Sequence, residues 1–392
     1  MNIKRSYFDE LWEERERAEV SILLGARQVG KSTLMRQMER RAKREGLKTA
    51  FYDLEQPSDL NKLSGKPQNV IDTLTEGADC VFIDEFHYLK NASKIFKAIY
   101  DSKRHVKIYA SGSSSLEIHK HLKESLAGRF RKHMIFPLTV DEWGKVKGFQ
   151  AGDYLIWGGL PGLIHEPGES DRLQLLENIL SAYITKDIKG LIKEENIRSF
   201  NSLLYCLAQS QGSVVVASNL ARETGLSEST VARHLEIMSQ TYVLHGVQSY
   251  STNLANELKK SRKYYLYDIG IRNMILKDVR NAADREDRGV LFESAVFYHL
   301  LSRLQPNMEL RFWRTKKGDE VDFVLIKNRV PTPVEVKSKL KKTVVPKGMA
   351  QFMKRYPKVT EGIVYNDTVH ENIVWENRKI YFRKWQEATP LQ

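Results

Sequence analysis

Two groups of residues have types and spacings that could do chemistry, and they lie far apart in the 392-residue chain. In the first, Gly25-Ala26-Arg27-Gln28-Val29-Gly30-Lys31-Ser32, followed by Thr33, fits the spacing G-x-x-x-x-G-K-[ST]. The motif follows the apolar run Ser21–Leu24 and opens a helical stretch. Backbone N–H groups at a helix N-terminus favour anions, so the loop is expected to wrap phosphates. Lys31 is expected to reach the β- and γ-phosphates of ATP, and Ser32 to ligate Mg²⁺. About fifty residues later, CVFIDE (80–85) ends an apolar run in two carboxylates. At the C-terminal edge of a parallel sheet, where ligands sit in such folds, Asp84 is expected to hold Mg²⁺ through water. Glu85 is expected to polarise the attacking water of an NTP hydrolase.

The run VKIYASGSSS (106–115) ends in polar residues at the same expected edge. Ser113 or Ser114 could sense the γ-phosphate or orient water; an ordinary Ser/Gly turn is the alternative. Arg129 and Arg131 follow, and either could serve as an arginine finger, Arg129 in cis or from a neighbouring subunit. A plain surface arginine is the other reading.

The second group lies near the C-terminus. Glu335-Val336-Lys337 reads as strand, so Glu335 and Lys337 share a face. Asp322 lies on the preceding strand. The midpoint between Asp322 and Glu335 falls at Asn328-Arg329, and a two-residue hairpin there places the two carboxylates opposite each other, with Cβ atoms roughly 5 Å apart. Such a pair repels unless a proton or cation sits between them, and a divalent ion, Mg²⁺ or Mn²⁺, is the expected solution. Pro331 and Pro333 complicate a regular ladder. Glu293 sits upstream on the amphipathic run GVLFESAVF. Together Glu293, Asp322, Glu335 and Lys337 resemble the E…D…E-x-K pattern of restriction-endonuclease-like nucleases. That resemblance implies that Asp322 and Glu335 bind the metal, Glu293 assists and Lys337 orients the attacking water. The metal would act as Lewis acid and generator of the nucleophile. An exposed salt-bridging face is the alternative.

These residues need elements to hold them. Residues 1–168 alternate short apolar strands with polar helices, which argues for an α/β domain with a mainly parallel sheet. Breaks at GGLPGL (158–163) and Glu166-Pro167-Gly168 set a boundary near 168. Residues 169–284 read as three helices and a β-ribbon, a winged-helix pattern, with Ser227 capping the second helix of a helix-turn-helix. The recognition helix would present Ser229, Thr230, Arg233 and His234 to the major groove of DNA. A protein-docking role is the alternative, since Glu228 and Glu236 oppose phosphate. Residues 285–392 form a third, α/β unit.

GARQVGKSTL, VFIDEFH, SGSSS, LAGRF with FPLTVDEW, and WGGLPGL resemble the P-loop AAA-type ATPases found widely in bacteria and archaea. The resemblance covers nearly the whole chain. It implies an AAA-like ATPase core, a winged helix, and a C-terminal restriction-endonuclease-like domain of the PD-(D/E)xK type (DUF4143). Its motifs are more specific for the ATPase than for the rest.

Composition agrees and excludes other classes. With 41% apolar and 28% charged residues the chain is globular. No run approaches the ~18 apolar residues of a membrane helix. The N-terminus carries charge where a signal peptide needs an apolar stretch. Two cysteines, Cys80 and Cys206, build neither a disulfide framework nor a Cys-based zinc site, so the reduced cytoplasm is the expected location. The net charge is +13, and residues 285–392 carry 21 basic against 13 acidic side chains. Lys339, Lys341, Lys342, Lys347, Lys354, Arg355 and Lys358 would suit a phosphate backbone; a solvated surface is the alternative. The leading expectation is an ATPase that couples turnover to DNA binding or processing. The alternative is a nucleotide-dependent switch whose silent C-terminal domain binds a protein partner; a homo-oligomer is compatible with either reading.

Overall fold

Residues 20–134 repeat a unit of short strand and covering helix. The strands are β1 (Val20–Leu24), β2 (Thr49–Asp53), β3 (Cys80–Asp84), β4 (Lys107–Gly112) and β5 (Phe130–Met134). They form one sheet in the order β2-β3-β4-β1-β5, with every pairing parallel. Every residue of β1, β3 and β4 is buried, as strands covered on both faces require. The helices are α1 (Phe8–Glu13), α2 (Lys31–Arg44), α3 (Pro57–Lys62), α4 (Pro67–Thr75) and α5 (Ala92–Asp101). In α2 Leu34, Met35, Met38 and Ala42 recur at helical spacing and make the buried stripe. Because the strands are parallel, all their C-terminal ends share one edge.

The computed structural model describes residues 3–102, 104–112, 128–188, 192, 197–251 and 262–387. Contacts divide the chain into two units, Met1–Pro137 with Gln240–Val243, and Leu138–Ser239 with Leu244–Gln392. Among the described residues, no helix is long and apolar enough to cross a membrane.

The second unit opens with helices α6 (Val140–Trp143), α7 (Ala151–Trp157), α8 (Glu169–Ala182), α9 (Ile197–Gln209), α10 (Ala217–Thr224) and α11 (Glu228–Gln240). The break at GGLPGL is a docking site rather than a free linker. Buried Asp268 accepts from Gly159 N at 2.7 Å and from Ile271 N at 3.1 Å, capping α12 (Ile269–Leu276). Asp268 oxygens stand where a Cβ on Gly158 would go, so that position needs glycine. Burial pushes Asp268 up to about 6, against the three backbone donors that favour its charge.

Nine strands form one mixed sheet: β6 (Val214–Val215), β7 (Leu244–Ser249), β8 (Arg262–Leu266), β9 (Met308–Arg314), β10 (Glu320–Lys327), β11 (Val330–Lys337), β12 (Glu361–Asn366), β13 (Glu371–Trp375) and β14 (Arg378–Lys384). Their order is β13-β14-β12-β11-β10-β9-β7-β8-β6, so the segments expected at 169–284 and 285–392 share a sheet. Helix α13 (Arg288–Leu301) and α14 (Lys347–Arg355) complete the unit. Met349, Phe352 and Met353 of α14 pack with Trp313, Val321, Val324 and Phe382 in its core.

Ser227 Oγ accepts from Thr230 N at 3.2 Å, the cap expected for α11. Ser229 and Arg233 are exposed on that helix, but His234 is not. It is buried edge-on to Phe200, with ring centroids 5.4 Å apart. The expectation that it faces a groove is corrected by helical period: Val231, His234, Leu235 and Met238 form one buried stripe.

Candidate functional site

The phosphate-loop motif joins β1 to α2. Gly25 has φ +153°, and a Cβ there would collide with the carbonyl oxygen of Ile135, whose N–H donates to Leu24 O at 2.7 Å. Gly30 caps α2 in the left-handed region at φ +93°. Ala26 and Val29 are buried, Gln28 is exposed, and Ser32 and Thr33 stay exposed on the first helical turn. Arg27 Nη1 lies 3.6 Å from Glu55 Oε1. Lys31 is only 5% exposed, and its ammonium donates to Gly25 O at 3.0 Å and Ala26 O at 2.8 Å. The loop's cation is therefore held at the loop itself. Buried Arg5 braces the turn from outside, donating to Val29 O at 3.0 Å and Phe136 O at 2.6 Å.

The register of β3 against β4, Ile83 beside Ala110, sets Ser111 next to Asp84. Ser111 Oγ donates to Asp84 Oδ1 and accepts from Glu85 N at 3.4 Å. Burial raises the Asp84 carboxyl above its ordinary range, against the hydrogen bonds from Ser111 and Ser32. Glu85 behaves oppositely. Burial alone would raise it, but the His87 ring, 3.2 Å away, and the charges of Lys31 and Arg27 pull it down to about 2. Lys31, Ser32, Asp84 and Glu85 thus meet at one edge of the sheet. That Ser32 hydroxyl and buried Asp84 carboxylate, already hydrogen-bonded, are the oxygen donors a Mg²⁺ ion takes.

Two expected members are not among the residues that meet here. Ser113 and its neighbour Ser114 fall in 113–127, outside the described residues; Ser111, two residues before Ser113, is buried and donates to Asp84. Arg129 is corrected outright as a finger within its own subunit. It precedes β5, which runs parallel to β1, so its carbonyl accepts from Val20 N at 3.1 Å at the N-terminal edge. The phosphate loop leaves the other edge after Leu24, roughly 13 Å along the strand. Its guanidinium instead pairs with Asp101 at 2.9 Å. Arg131 pairs with Glu14, whose carboxylate also takes Ser21 Oγ at 2.6 Å and His133 Nε2 at 2.9 Å.

The second unit brings together all four residues of the acidic pattern. The β10–β11 hairpin turns at Asn328-Arg329, both at positive φ (51° and 69°), as a two-residue turn of the kind that matches strand twist requires. Its ladder runs from Lys327 beside Val330 to Phe323 beside Val334, which makes Glu335 the next partner of Asp322. Pro331 and Pro333 sit in register, because alternate N–H groups of an antiparallel strand face away from its partner, and β12 pairs only from Val334 onward. A bulge against β9 falls between Val321 and Val324, where it re-aims Asp322.

Asp322 Oδ2 accepts from Val336 N at 2.8 Å. Glu335 is 2% exposed and its Oε2 pairs with Lys337 Nζ at 2.8 Å. Burial and the neighbouring Asp322 push Glu335 up to about 8, against Lys337. Burial likewise raises Glu293, on α13, to about 7, against Lys263. Three members escaped sequence reasoning. Lys263 Nζ lies 3.3 Å from Glu293 Oε1 and 2.7 Å from Glu320 Oε1, and Tyr265 OH donates to Glu293 Oε1 at 2.5 Å. A signal existed: Lys263 and Tyr265 alternate in the strand Arg262–Leu266 and so share a face.

Two glycines lie against these carboxylates. A Cβ on Gly212 would sit 3.0 Å from Glu293 Oε1, while one on Gly348 would collide first with the backbone carbonyl of Glu320 and then lie 2.9 Å from Glu335 Oε1. Among the described residues, no three acidic, imidazole or thiol groups stand ready around one ion. Two carboxylates with water nevertheless suit Mg²⁺, which keeps much of its hydration.

Comparison with known proteins divides the chain three ways. Residues 17–144 match the family described as AAA domain, while 149–281 and 288–383 match two domains of unknown function, DUF8612 and DUF4143. The uncharacterized protein Rv2008c of Mycobacterium tuberculosis is 26% identical over 325 residues, spanning 82% of this chain and 70% of its own length. The uncharacterized protein MJ1544 of Methanocaldococcus jannaschii is 25% identical over 266 residues, spanning 62% of this chain and 58% of its own. AMPPCP-bound DnaA from Aquifex aeolicus aligns at 13% identity and a TM-score of 0.33, over 61% of this chain and 89% of that one. The family match and the loop geometry agree: the first unit carries an AAA-type ATPase domain with a P-loop.

Proposed function

We propose that this chain is a Mg²⁺-dependent ATPase of the AAA type that couples nucleotide turnover to DNA binding or processing by its second unit. The observation that carries the ATPase reading is the meeting of Lys31, Ser32, Asp84 and Glu85 at one sheet edge. Lys31 exchanges the carbonyls of Gly25 and Ala26 for β- and γ-phosphate oxygens. Ser32 and Asp84 hold Mg²⁺, whose charge offsets that of the phosphates when it is bound. Glu85, drawn down to about 2, is ionised near neutral pH. So acidic a group is a weak base, and its role is to orient the attacking water by accepting its hydrogen bond. His87 lies 3.2 Å from the carboxylate, and Ser111 fixes both Asp84 and the backbone of Glu85. ATP turnover should be lost in Glu85→Gln while nucleotide binding persists; unchanged turnover would sink the assignment.

In the second unit, helices α9 to α11 with the β7–β8 ribbon act as a winged helix that docks DNA, and the acidic cluster acts as a restriction-endonuclease-like site. Asp322 and Glu335 hold a divalent ion, Glu293 assists, and Lys337 orients the attacking water. The ion supplies Lewis-acid polarisation of the phosphodiester. The lysines from Lys339 to Lys358 track the DNA backbone. Incubating supercoiled and branched DNA with Mg²⁺ or Mn²⁺ tests this; cleavage that survives Lys337→Ala would mark contamination. One observation favours the second reading, a switch with a silent C-terminal domain that binds a protein: Lys263 and Lys337 already pair with the cluster's carboxylates. No cleavage, together with a DNA affinity that ignores salt, would establish that reading instead.

A further inference from the structure

The acidic cluster contains a cation of its own, and it comes from outside the segment that carries the E…D…E-x-K pattern. Lys263 lies on β8, in the stretch matching the 149–281 domain, whereas Glu293, Glu320, Asp322 and Glu335 lie in the next. Its side chain is 1% exposed. An ammonium so enclosed is costly unless paired and hydrogen-bonded. Here it lies 3.3 Å from Glu293 and 2.7 Å from Glu320. Burial alone would lower its proton affinity, yet the fields of Glu293, Asp322 and Glu320 raise it, so it stays charged. Tyr265, two residues along the same face, donates to the same Glu293 oxygen and fixes that carboxylate toward Lys263. The other oxygen of Glu320 faces half-exposed Arg314 at 3.7 Å, a weak, solvent-screened contact.

Four buried or half-buried carboxylates, Glu293, Glu320, Asp322 and Glu335, therefore share two ammoniums, Lys263 and Lys337. We propose that Lys263 is a resident cation of the cluster, which occupies the Glu293 side and confines divalent-ion binding to the Asp322–Glu335 side. This rests on the reading of Asp322 and Glu335 as an ion site. It deepens that reading by making the middle segment part of the site: the charge it presents to an incoming ion is set by the strand that delivers Lys263. Lys263 is a positioning and competing group, since it touches the carboxylates and not the reacting atoms.

The test is Mn²⁺ binding to the full-length, nucleotide-free protein, read by calorimetry, with Glu335→Gln as the background that keeps the phosphate loop intact. Lys263→Met removes the charge and keeps the length, and should tighten Mn²⁺ binding about tenfold or more, because an opposing charge within a few ångströms is withdrawn. Lys263→Arg should bind as the wild type does. Superimposable isotherms for wild type and Lys263→Met, both above the Glu335→Gln background, overturn the inference and leave the ion site standing. No binding by either overturns both. Binding by Lys263→Met alone supports the inference in its strongest form. If Lys263→Met folds only when Mn²⁺ replaces chelator, the ion is substituting for the lost ammonium, as proposed. Failure of Mn²⁺ to restore folding, with Lys263→Arg folded, counts against it.

Discussion

The two charged sites of this molecule solve opposite problems. The phosphate loop presents a buried cation and backbone donors to an anion that arrives, and its carboxylate Glu85 is drawn down to about 2 by neighbouring positive groups. The acidic cluster presents crowded carboxylates, with Glu335 and Glu293 driven up to about 8 and about 7 by burial and by the charge of Asp322. The first is built almost entirely from eight consecutive residues and the end of one strand. The second draws on β8, α13, β10 and β11. A site made locally should fail when one residue is lost; a site made by convergence of like charges should relax when one is removed.

Lys31→Ala should have the largest effect. The loop would lose the side-chain cation expected to meet the phosphates, and ATP turnover should fall about 10²–10³-fold, as for loss of one preorganised charge-stabilising donor. Steady-state hydrolysis and a nucleotide-binding titration measure it. Turnover within a few-fold of wild type would erase the contrast between the sites.

Glu14→Gln extends the contrast to stability. Glu14 is buried, and its hydrogen bonds from His133, Ser21 and Arg131 outweigh the burial that would raise it, so it sits at about 2 in the fold against 4.5 unfolded. A carboxylate depressed in the fold contributes stability above its unfolded pKa and loses it as pH falls through the folded value. The variant should therefore be about 2–3 kcal/mol less stable near neutrality, where the wild type keeps this charged hydrogen-bonded group. The gap should close as pH falls from 4.5 toward about 2 in urea-melt series. A gap independent of pH would show that the loss is packing and not charge.

Asp322→Asn should carry the opposite sign. Removing one charge relieves the repulsion felt by Glu335 and Glu293, and the amide oxygen can still accept from Val336 N. In chelator, thermal melting of the second unit should show a gain of about 1 kcal/mol. A loss would mean that Lys263 and Lys337 already over-compensate the cluster, and the two sites would differ less than their geometry suggests.

What was legible in the sequence follows the same division. The phosphate loop is contiguous, so spacing alone places Lys31 and Ser32. The hairpin was legible too, since a two-residue turn at Asn328-Arg329 fixes which side chains face each other. Ser111 was not. That Ser111 meets Asp84 depends on the register of neighbouring parallel strands, Ile83 beside Ala110, and no local signal sets it. Lys263 was missed because its partner Glu293 is 30 residues away and its strand gave no hint of which element it would face. His234 was misplaced because a polar residue was taken as exposed, when the helical period put it on the buried stripe.

Arg129→Ala should do least, and for that reason sharpens the comparison most cleanly. The arginine lies at the N-terminal edge of the sheet, paired with Asp101 at 2.9 Å over a partly exposed surface. It is separated from the phosphate loop by the length of β1, roughly 13 Å. An exposed ion pair of this kind contributes about 0–1 kcal/mol, so stability should barely move. Turnover of the dilute monomer should stay within about twofold of wild type, because the guanidinium does not reach the γ-phosphate position of its own subunit. The informative measurement is turnover across a protein-concentration series. If the wild type gains specific activity as concentration rises and Arg129→Ala does not, the arginine serves the site of a second copy. A site that looks complete in its own loop would then depend, like the acidic cluster, on a residue delivered from elsewhere.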